Sequence, residues 1–178
     1  MRRWLRLSLV LIPLVCDVGL AFPQDQAAKP AWKVYSYPDD GFAMEAPSQP
    51  TLEKQRQATA SGNIEMRQYS VDLTKESGVL MSVSDFPNTN NASSKAILEG
   101  AVNGGIQAAK PKKTYEKDIE LQQVPGIEFE GETGPYRLLG RYYWENGRLF
   151  ALQAVAPMDT LMSADVHRVL DSLKFIAK

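Results

Sequence analysis

The amino-acid sequence predicts an α+β domain with a mostly antiparallel β-sheet. Three observations lead to this fold class. Strand-like segments fill the first part of the chain, amphipathic helical segments occur near its middle and its end, and an Asn-Gly turn at 146–147 joins two long apolar segments. The order of strands, a helix, more strands, a helix and a last strand is typical of α+β proteins whose helices pack on a sheet.

Residues 1–21 have the three parts of a signal peptide. Three arginines, at positions 2, 3 and 6, form a basic region, and residues 7–16 form an apolar region. Gly19 and Ala21 then supply small side chains before a cleavage site at Phe22. The pattern predicts export, so the mature protein is expected to be secreted or periplasmic.

Two other interpretations of the N-terminus fit less well. An uncleaved anchor would need roughly 20 apolar residues, and Pro13 and Asp17 shorten the apolar region further. A lipoprotein would need a small residue just before Cys16, where the sequence has Val15. No membrane span is therefore expected in the mature chain.

Removal of residues 1–21 leaves 157 of the 178 residues, enough for one domain with a core. Three arginines and one aspartate leave with the signal, so 17 basic and 20 acidic side chains remain, a net charge of −3. That balance argues against nucleic-acid binding. Residues 22–31 are polar and aperiodic, which predicts a linker before a single domain at 32–178.

The chain has one cysteine, Cys16, and one histidine, His167. Because Cys16 lies in the signal, the mature chain can form no disulfide, thiolate metal site or catalytic thiol. A single histidine also excludes a histidine-rich metal site. We therefore expect neither a cofactor nor a metal.

The first part of the domain predicts five strands and one helix. Pro38-Asp39-Asp40-Gly41 is a turn, because proline fixes φ and glycine accepts positive φ. The helix covers residues 93–109, with Asn91 or Ser93 as N-cap. It either ends at Gly104-Gly105 or uses these glycines to pack closely on a sheet. The predicted strands are 32–37, 42–46, 51–57, 64–73 and 79–86.

The second part predicts strands at 114–121 and 127–132 around Pro125-Gly126, followed by a hairpin of 136–144 and 149–156. Folding this hairpin about Asn146-Gly147 pairs Trp144 with Leu149, Tyr143 with Phe150, Tyr142 with Ala151 and Leu138 with Val155. Apolar pairs then fall on both faces, so both faces of the sheet must be covered. Glu145 and Arg148 are expected to pair at the exposed end.

Ser163 is predicted to cap the last helix, whose apolar stripe contains Val166, Val169, Leu170 and Leu173. Asp165 in its first turn suits the helix dipole. Residues 174–177 close the chain as a short strand.

Several of these segments resemble the PsbP-like domains. The opening W-x-V-Y-x-Y-P-x-D-G-F-x-M-x-x-P at 32–47 looks like the start of such a domain. Three further features agree in kind and order: the strand pair around Pro125-Gly126, the aromatic hairpin at 141–150 and L-D-S-L-K-F at 170–175. The resemblance spans most of 32–177. It implies an α/β/α sandwich with a central, mostly antiparallel sheet, and it brings no catalytic motif to carry over.

Three groups of residues could in principle form a catalytic or metal site. A Ser-His-Asp triad would need His167 as its base, because the chain has no other histidine. A histidine at the boundary of the core is the favoured interpretation. Glu128, Glu130 and Glu132 could include a glycosidase pair, but their alternation is typical of the solvent side of an edge strand. Asp39 and Asp40 lack the spaced carboxylates of a calcium loop, so a plain turn is favoured.

The aromatic hairpin remains the best candidate for an interaction. Core packing and ordinary sheet-facing positions are the favoured interpretation of these aromatic side chains. The alternative is that Tyr136 and Trp144, near the ends of the hairpin, are partly exposed and contact a partner protein. The leading hypothesis is an exported, non-catalytic domain that binds or supports another protein in the cell envelope. A small-molecule or lipid carrier is the alternative, and a hydrolase is less favoured.

Overall fold

The computed structural model describes residues 31–59, 62–86, 92–160 and 163–176. The predicted signal peptide and all but the last residue of the predicted linker lie outside these residues. A one-turn 3₁₀ helix, Pro38–Asp40, follows the first strand. The described strands are β1 (Lys33–Tyr37), β2 (Phe42–Ala46), β3 (Thr51–Thr59), β4 (Gly62–Asp72), β5 (Gly78–Asp85), β6 (Lys112–Leu121), β7 (Val124–Thr133), β8 (Tyr136–Glu145), β9 (Arg148–Pro157) and β10 (Lys174–Phe175). The described helices are α1 (Ser94–Ala109) and α2 (Ala164–Asp171).

The strands form two sheets, and every described pairing is antiparallel. A large sheet has the order β3-β4-β5-β9-β8-β7-β6, and a small sheet has the order β1-β2-β10. The predicted α+β class is therefore confirmed. The separate small sheet was not predicted; Pro47 and Pro50 lie between β2 and β3, where proline removes backbone donors from a sheet.

The hairpin of β8 and β9 has the predicted register. Trp144 lies opposite Leu149 and Tyr143 lies opposite Phe150. Asn146 and Gly147 both have positive φ, at 50° and 80°, as a type I′ turn requires.

The hairpin of β6 and β7 differs from its prediction. Its turn is Gln122-Gln123, both with positive φ, at 53° and 68°. Pro125-Gly126 lies inside β7 instead. A Cβ on Gly126 would approach the Tyr143 ring to 2.6 Å, so this glycine serves close packing, and the predicted position of Pro125-Gly126 between the two strands was wrong.

The central strands of the large sheet carry buried apolar residues on both faces, as the hairpin predicted. On one face, called the α2 face, the core includes Tyr69, Met81 and Leu152, and it is covered by α2 and the small sheet. On the other, called the α1 face, the core includes Phe129 and Tyr142, and it is covered by α1. Successive residues of each strand alternate between the two faces.

Each helix begins as expected. Ser93 and Ser163 are the N-caps, and their side chains accept hydrogen bonds from the backbone N–H groups of Ala96 and Val166. The first helix continues through Gly104-Gly105, where a Cβ on Gly105 would lie 2.6 Å from the Tyr142 hydroxyl. The glycines therefore allow close packing, the second of the two predicted alternatives.

Among the described residues, neither helix combines the length and the hydropathy needed to cross a membrane.

Candidate functional site

A polar network lies on the α2 face and runs from the buried residue Asp40 to the partly exposed residue Asp85. This residue ends the 3₁₀ helix and is 6% exposed, while Gly41 behind it turns the chain at φ 77°. The Nε of Arg67 donates to one Asp40 oxygen at 2.5 Å, and the Tyr69 hydroxyl donates to the other. The predicted turn at residues 38–41 is confirmed. The carboxylate of Asp40 also joins this turn, which connects β1 to β2, to the strand β4.

The network continues through Asp85 to Arg148. One oxygen of Asp85 accepts from Nη2 of Arg67, and the other accepts from Nε of Arg148, both at 2.6 Å. We call these five residues, Tyr69, Asp40, Arg67, Asp85 and Arg148, the Asp40 network. The predicted ion pair of Arg148 with Glu145 was wrong: the two residues lie opposite each other in the backbone register, but the guanidinium binds Asp85.

The network controls the protonation of its members. Burial raises the pKa of Asp85, but hydrogen bonds from Arg148 and Arg67 outweigh burial and lower it below its usual value. Burial, together with the hydrogen bond to Asp40, raises the pKa of Tyr69. At neutral pH Asp85 is therefore ionised and Tyr69 is neutral, so Asp85 is not a proton donor.

A cleft of about 560 Å³ opens beside the end of this network. Its apolar floor includes Phe150 and Phe175, whose ring centroids are 4.8 Å apart. Gln122 holds the Phe175 backbone, accepting from its N–H at 2.7 Å and donating to its carbonyl at 3.2 Å. We call it the Arg148 cleft; its lining includes Asp85, Gln122, Glu145, Arg148, Phe150 and Phe175.

The guanidinium of Arg148 is only partly used by the protein. Its Nε is bound to Asp85, while Nη1 makes a long contact of 3.4 Å to the Asp39 carbonyl. The Arg148 side chain is 14% exposed, at the wall of the cleft. Glu145, on the same cleft, forms no ion pair with any residue in the described part of the chain.

A second concave surface lies on the α1 face, beyond the helix. It contains Tyr136, Leu80 and Val155 and has Lys75 and Glu76 at its rim, with a volume of about 460 Å³. We call these five residues the Tyr136 groove. Val155 is 42% exposed, and Tyr136 and Leu80 are partly exposed. For Tyr136, the alternative of partial exposure agrees with this position.

Trp144 does not share that position. It is 8% exposed, and its ring packs edge-on against Phe86 at a centroid distance of 5.7 Å. Leu149 lies opposite it in the hairpin. The favoured interpretation as a core residue is therefore confirmed for Trp144 and the exposed alternative was wrong, because the end of a hairpin within a seven-stranded sheet is covered by neighbouring elements.

The glutamates of β7 are placed differently from the expectation. This strand lies between β6 and β8, so it is not an edge strand. Glu128 is 7% exposed and binds Lys117 at 2.9 Å and Arg141 at 2.7 Å. Burial raises the pKa of Glu128, but these two hydrogen bonds outweigh burial and lower it. Glu132 contacts Arg137 at 3.5 Å.

His167 is partly exposed on α2, as expected for a boundary histidine, and it lines none of the clefts described above. Within the described ranges, no group of three or more His, Cys, Asp or Glu side chains is arranged to hold a metal ion. The structure thus gathers two arginines and two aspartates that the sequence had not singled out together.

A signal for this network is present in the sequence. Arg67, Tyr69 and Val71 lie two residues apart along β4, so their side chains share one face of the strand. Tyr69 and Val71 are both buried. An arginine on the apolar side of a strand requires a buried acceptor. The identity of that acceptor, 27 residues earlier in the chain, depends on how the small sheet packs on the large one.

The fold is similar to that of cyanobacterial PsbP (CyanoP) from Synechocystis sp. PCC 6803. The TM-score is 0.58 at 11% sequence identity, over 84% of this chain and 95% of that protein. A structure from Bacteroides thetaiotaomicron VPI-5482 aligns with a TM-score of 0.45 at 12% identity, over 82% of this chain and 49% of that one. No family model and no curated protein matches the sequence. The chain has the PsbP-like fold that its residues predicted, and the likeness extends to the fold alone.

Proposed function

We propose that this chain with a PsbP-like fold is an exported, non-catalytic domain that binds a partner protein outside the cytoplasm. Export rests on the signal-like residues 1–21. In the proposed arrangement, α1 on one face and α2 with the small sheet on the other make the domain an α/β/α sandwich.

The Tyr136 groove carries the proposal of a protein partner. Its aliphatic residues Leu80 and Val155 lie beside a tyrosine, and Lys75 and Glu76 surround them with both signs of charge. An apolar centre within a polar rim is typical of protein interfaces, and tyrosine is enriched among the residues that dominate their binding energy. We therefore assign the groove to a partner that presents an apolar side chain within a polar surface.

The chemistry of the titratable groups supports a non-catalytic role. Asp85 and Glu145 line the same cleft, but the two arginines keep Asp85 ionised. A glycosidase pair needs one carboxyl group with a raised pKa to act as acid, and Asp85 cannot be that acid because its pKa is lowered. Measurable turnover of the purified protein in a broad hydrolase screen would overturn this part of the proposal.

The groove can be tested with a matched pair of variants. Val155 and Leu52 are aliphatic residues of similar exposure, 42% and 45%, but only Val155 lies in the groove. We expect Val155→Lys to abolish specific recovery of a partner from envelope extracts, because a charge in an interface core is costly, and Leu52→Lys to leave it unchanged. Equal recovery with both variants, or no specific partner with the wild-type chain, would contradict the proposal.

Small-molecule binding is the second candidate function, and the Arg148 cleft favours it. Its volume of about 560 Å³ is within the range of ligand pockets, roughly 300–1,000 Å³. The cleft mixes charged and aromatic side chains, which suits a polar ligand better than the acyl chain of a lipid.

A further inference from the structure

We propose that the Arg148 cleft binds a small monocarboxylate that has an apolar body, with its carboxylate on Arg148 and its body on Phe150 and Phe175. This inference names the ligand class for the second candidate function. It is independent of the Tyr136 groove, which lies on the opposite face of the large sheet.

The orientation of Arg148 is the first argument. Asp85 holds its Nε at 2.6 Å, and the other Asp85 oxygen is held by Arg67. Arg67 is in turn fixed by the buried carboxylate of Asp40. A guanidinium that is held in this way can donate its remaining N–H groups to a ligand without first being reoriented. Its planar edge matches the two oxygens of a carboxylate.

The unused donors are the second argument. The only hydrogen bond from an Arg148 Nη atom to the described residues is the 3.4 Å approach to the Asp39 carbonyl, which is long for an N–H···O hydrogen bond. Since the side chain lines the cleft, a ligand carboxylate there would complete its hydrogen bonding.

The charge balance selects a monocarboxylate over a dianion. In the Asp40 network, Arg67 and Arg148 are balanced by Asp40 and Asp85, and Glu145 adds a negative charge at the cleft. Any anion would meet this excess of negative charge, and the repulsion is about twice as large for a phosphate dianion as for a monocarboxylate. A monocarboxylate gains directional, charge-assisted hydrogen bonds with less repulsion.

The aromatic floor accounts for the apolar body. Phe150 and Phe175 form a tilted ring pair, and Gln122 fixes the backbone of Phe175. Phe150 and Val124 are buried beneath the cleft, so the partly exposed Phe175 offers the accessible aromatic surface. Contact with these groups would remove apolar surface of the ligand from water.

The test is a titration of the isotopically labelled chain 22–178 with 3-phenylpropionate, followed by amide chemical shifts. The matched neutral probe is 3-phenylpropanamide, which has the same shape without the charge. We expect saturable shifts at Gly41, Asn146 and Gly147, and binding of the acid at least roughly fivefold tighter than binding of the amide, as expected for a charged hydrogen bond. Equal affinity of the two probes, shifts confined to the Tyr136 groove, or no saturation at roughly millimolar concentrations would each overturn the proposal.

Two variants assign the preference to the cleft. Arg148→Gln should bring the acid-to-amide affinity ratio close to one. That change also removes the partner of Asp85 and could alter the fold. Glu145→Gln is therefore a second test of acid binding, at a residue that forms no ion pair in the described structure. Removing its negative charge should tighten acid binding about twofold and leave amide binding unchanged. An unchanged ratio in Glu145→Gln, or a retained preference in folded Arg148→Gln, would contradict the proposed site, whereas the outcome at Val155 tests the partner groove separately.

Discussion

The two faces of the large sheet are covered in different ways. The α2 face meets elements from both ends of the domain, and the buried ion pairs of Asp40 and Glu128 lie on that face. The α1 face meets one helix, and its polar contact is neutral, a hydrogen bond from Gln153 to the Tyr142 hydroxyl. The ion pair of Asp40 with Arg67 therefore joins the first part of the domain to β4, whereas the glycine at 105 lets the helix α1 pack closely on Tyr142.

This difference also separates the two candidate sites. On the α2 face, the ion pairs leave the outer edge of Arg148 at a cleft. On the α1 face, a single helix contacts β7 and β8 and leaves Val155 of β9 exposed. The first arrangement suits a small charged ligand, and the second suits a protein surface.

The largest effect is expected from Asp40→Ala. The change leaves Arg67 and Tyr69 without their buried acceptor, and breaking a buried ion pair costs about 3–5 kcal/mol. Urea unfolding should therefore show a much lower free energy of unfolding. Asp39→Ala, at the exposed neighbour, is the control and should change it by less than about 0.5 kcal/mol. Equal effects of the two changes would mean that the ion pairs do not hold the α2 face.

On the α1 face, the adjacent glycines of the helix should respond in opposite directions. A Cβ on Gly105 would lie 2.6 Å from the Tyr142 hydroxyl, whereas a Cβ on Gly104 would meet nothing within 4 Å. Gly104→Ala should raise the free energy of unfolding by about 1 kcal/mol through helix propensity. Gly105→Ala should lower it by about 1–2 kcal/mol, because overpacking outweighs that gain. Thermal unfolding of both variants checks this, and stabilisation by both would show that the helix packs less closely.

The α2 face should also be the origin of acid sensitivity. Asp85 and Glu128 have pKa values lowered in the folded state, so their contribution to stability is present above their usual pKa values of about 4 and is lost as the pH falls through the lowered ones. The double variant Asp85→Asn with Glu128→Gln should unfold with a flatter dependence on pH below about 4. An unchanged slope in acid unfolding curves would place the acid sensitivity elsewhere.

The smallest effect is expected at the turn that carries Gln122 over the α2 face. Gln123 has φ 68° and is exposed, and a left-handed conformation costs a non-glycine residue about 1 kcal/mol. Gln123→Gly should therefore stabilise the chain by up to about 1 kcal/mol, offset in part by the entropy of the unfolded chain. A loss of stability in chemical unfolding would show that the glutamine side chain contributes more than the backbone strain costs.

Local patterns predicted much of the secondary structure. Asn146-Gly147 was sufficient for the turn and the register of β8 and β9, because two positive φ angles are rare outside such residues. Ser93 and Ser163 were found as caps from the apolar stripes that follow them. The turn at Gln122-Gln123 was missed because its residue types carry no turn signal; the flanking strands impose its conformation.

The candidate sites were less accessible to sequence reasoning. Tyr136 was placed correctly near the end of a strand at a partly exposed surface, while Trp144, with a similar position in the hairpin, is buried. The difference arises because Phe86, from outside the hairpin, covers the tryptophan. Exposure of an aromatic residue depends on its neighbours in space, which a hairpin pattern does not contain.

The sequence by itself determined the fold class, the two helices, the aromatic hairpin and the burial of both its faces, because these follow from turn residues, caps and apolar periodicity within short segments. The tertiary structure alone decided that β1, β2 and β10 form a separate sheet and that Arg148 binds Asp85 rather than Glu145. These contacts join residues far apart in the chain, and their energies depend on burial and distance in the folded domain. The polar edge of the Arg148 cleft is a product of that packing.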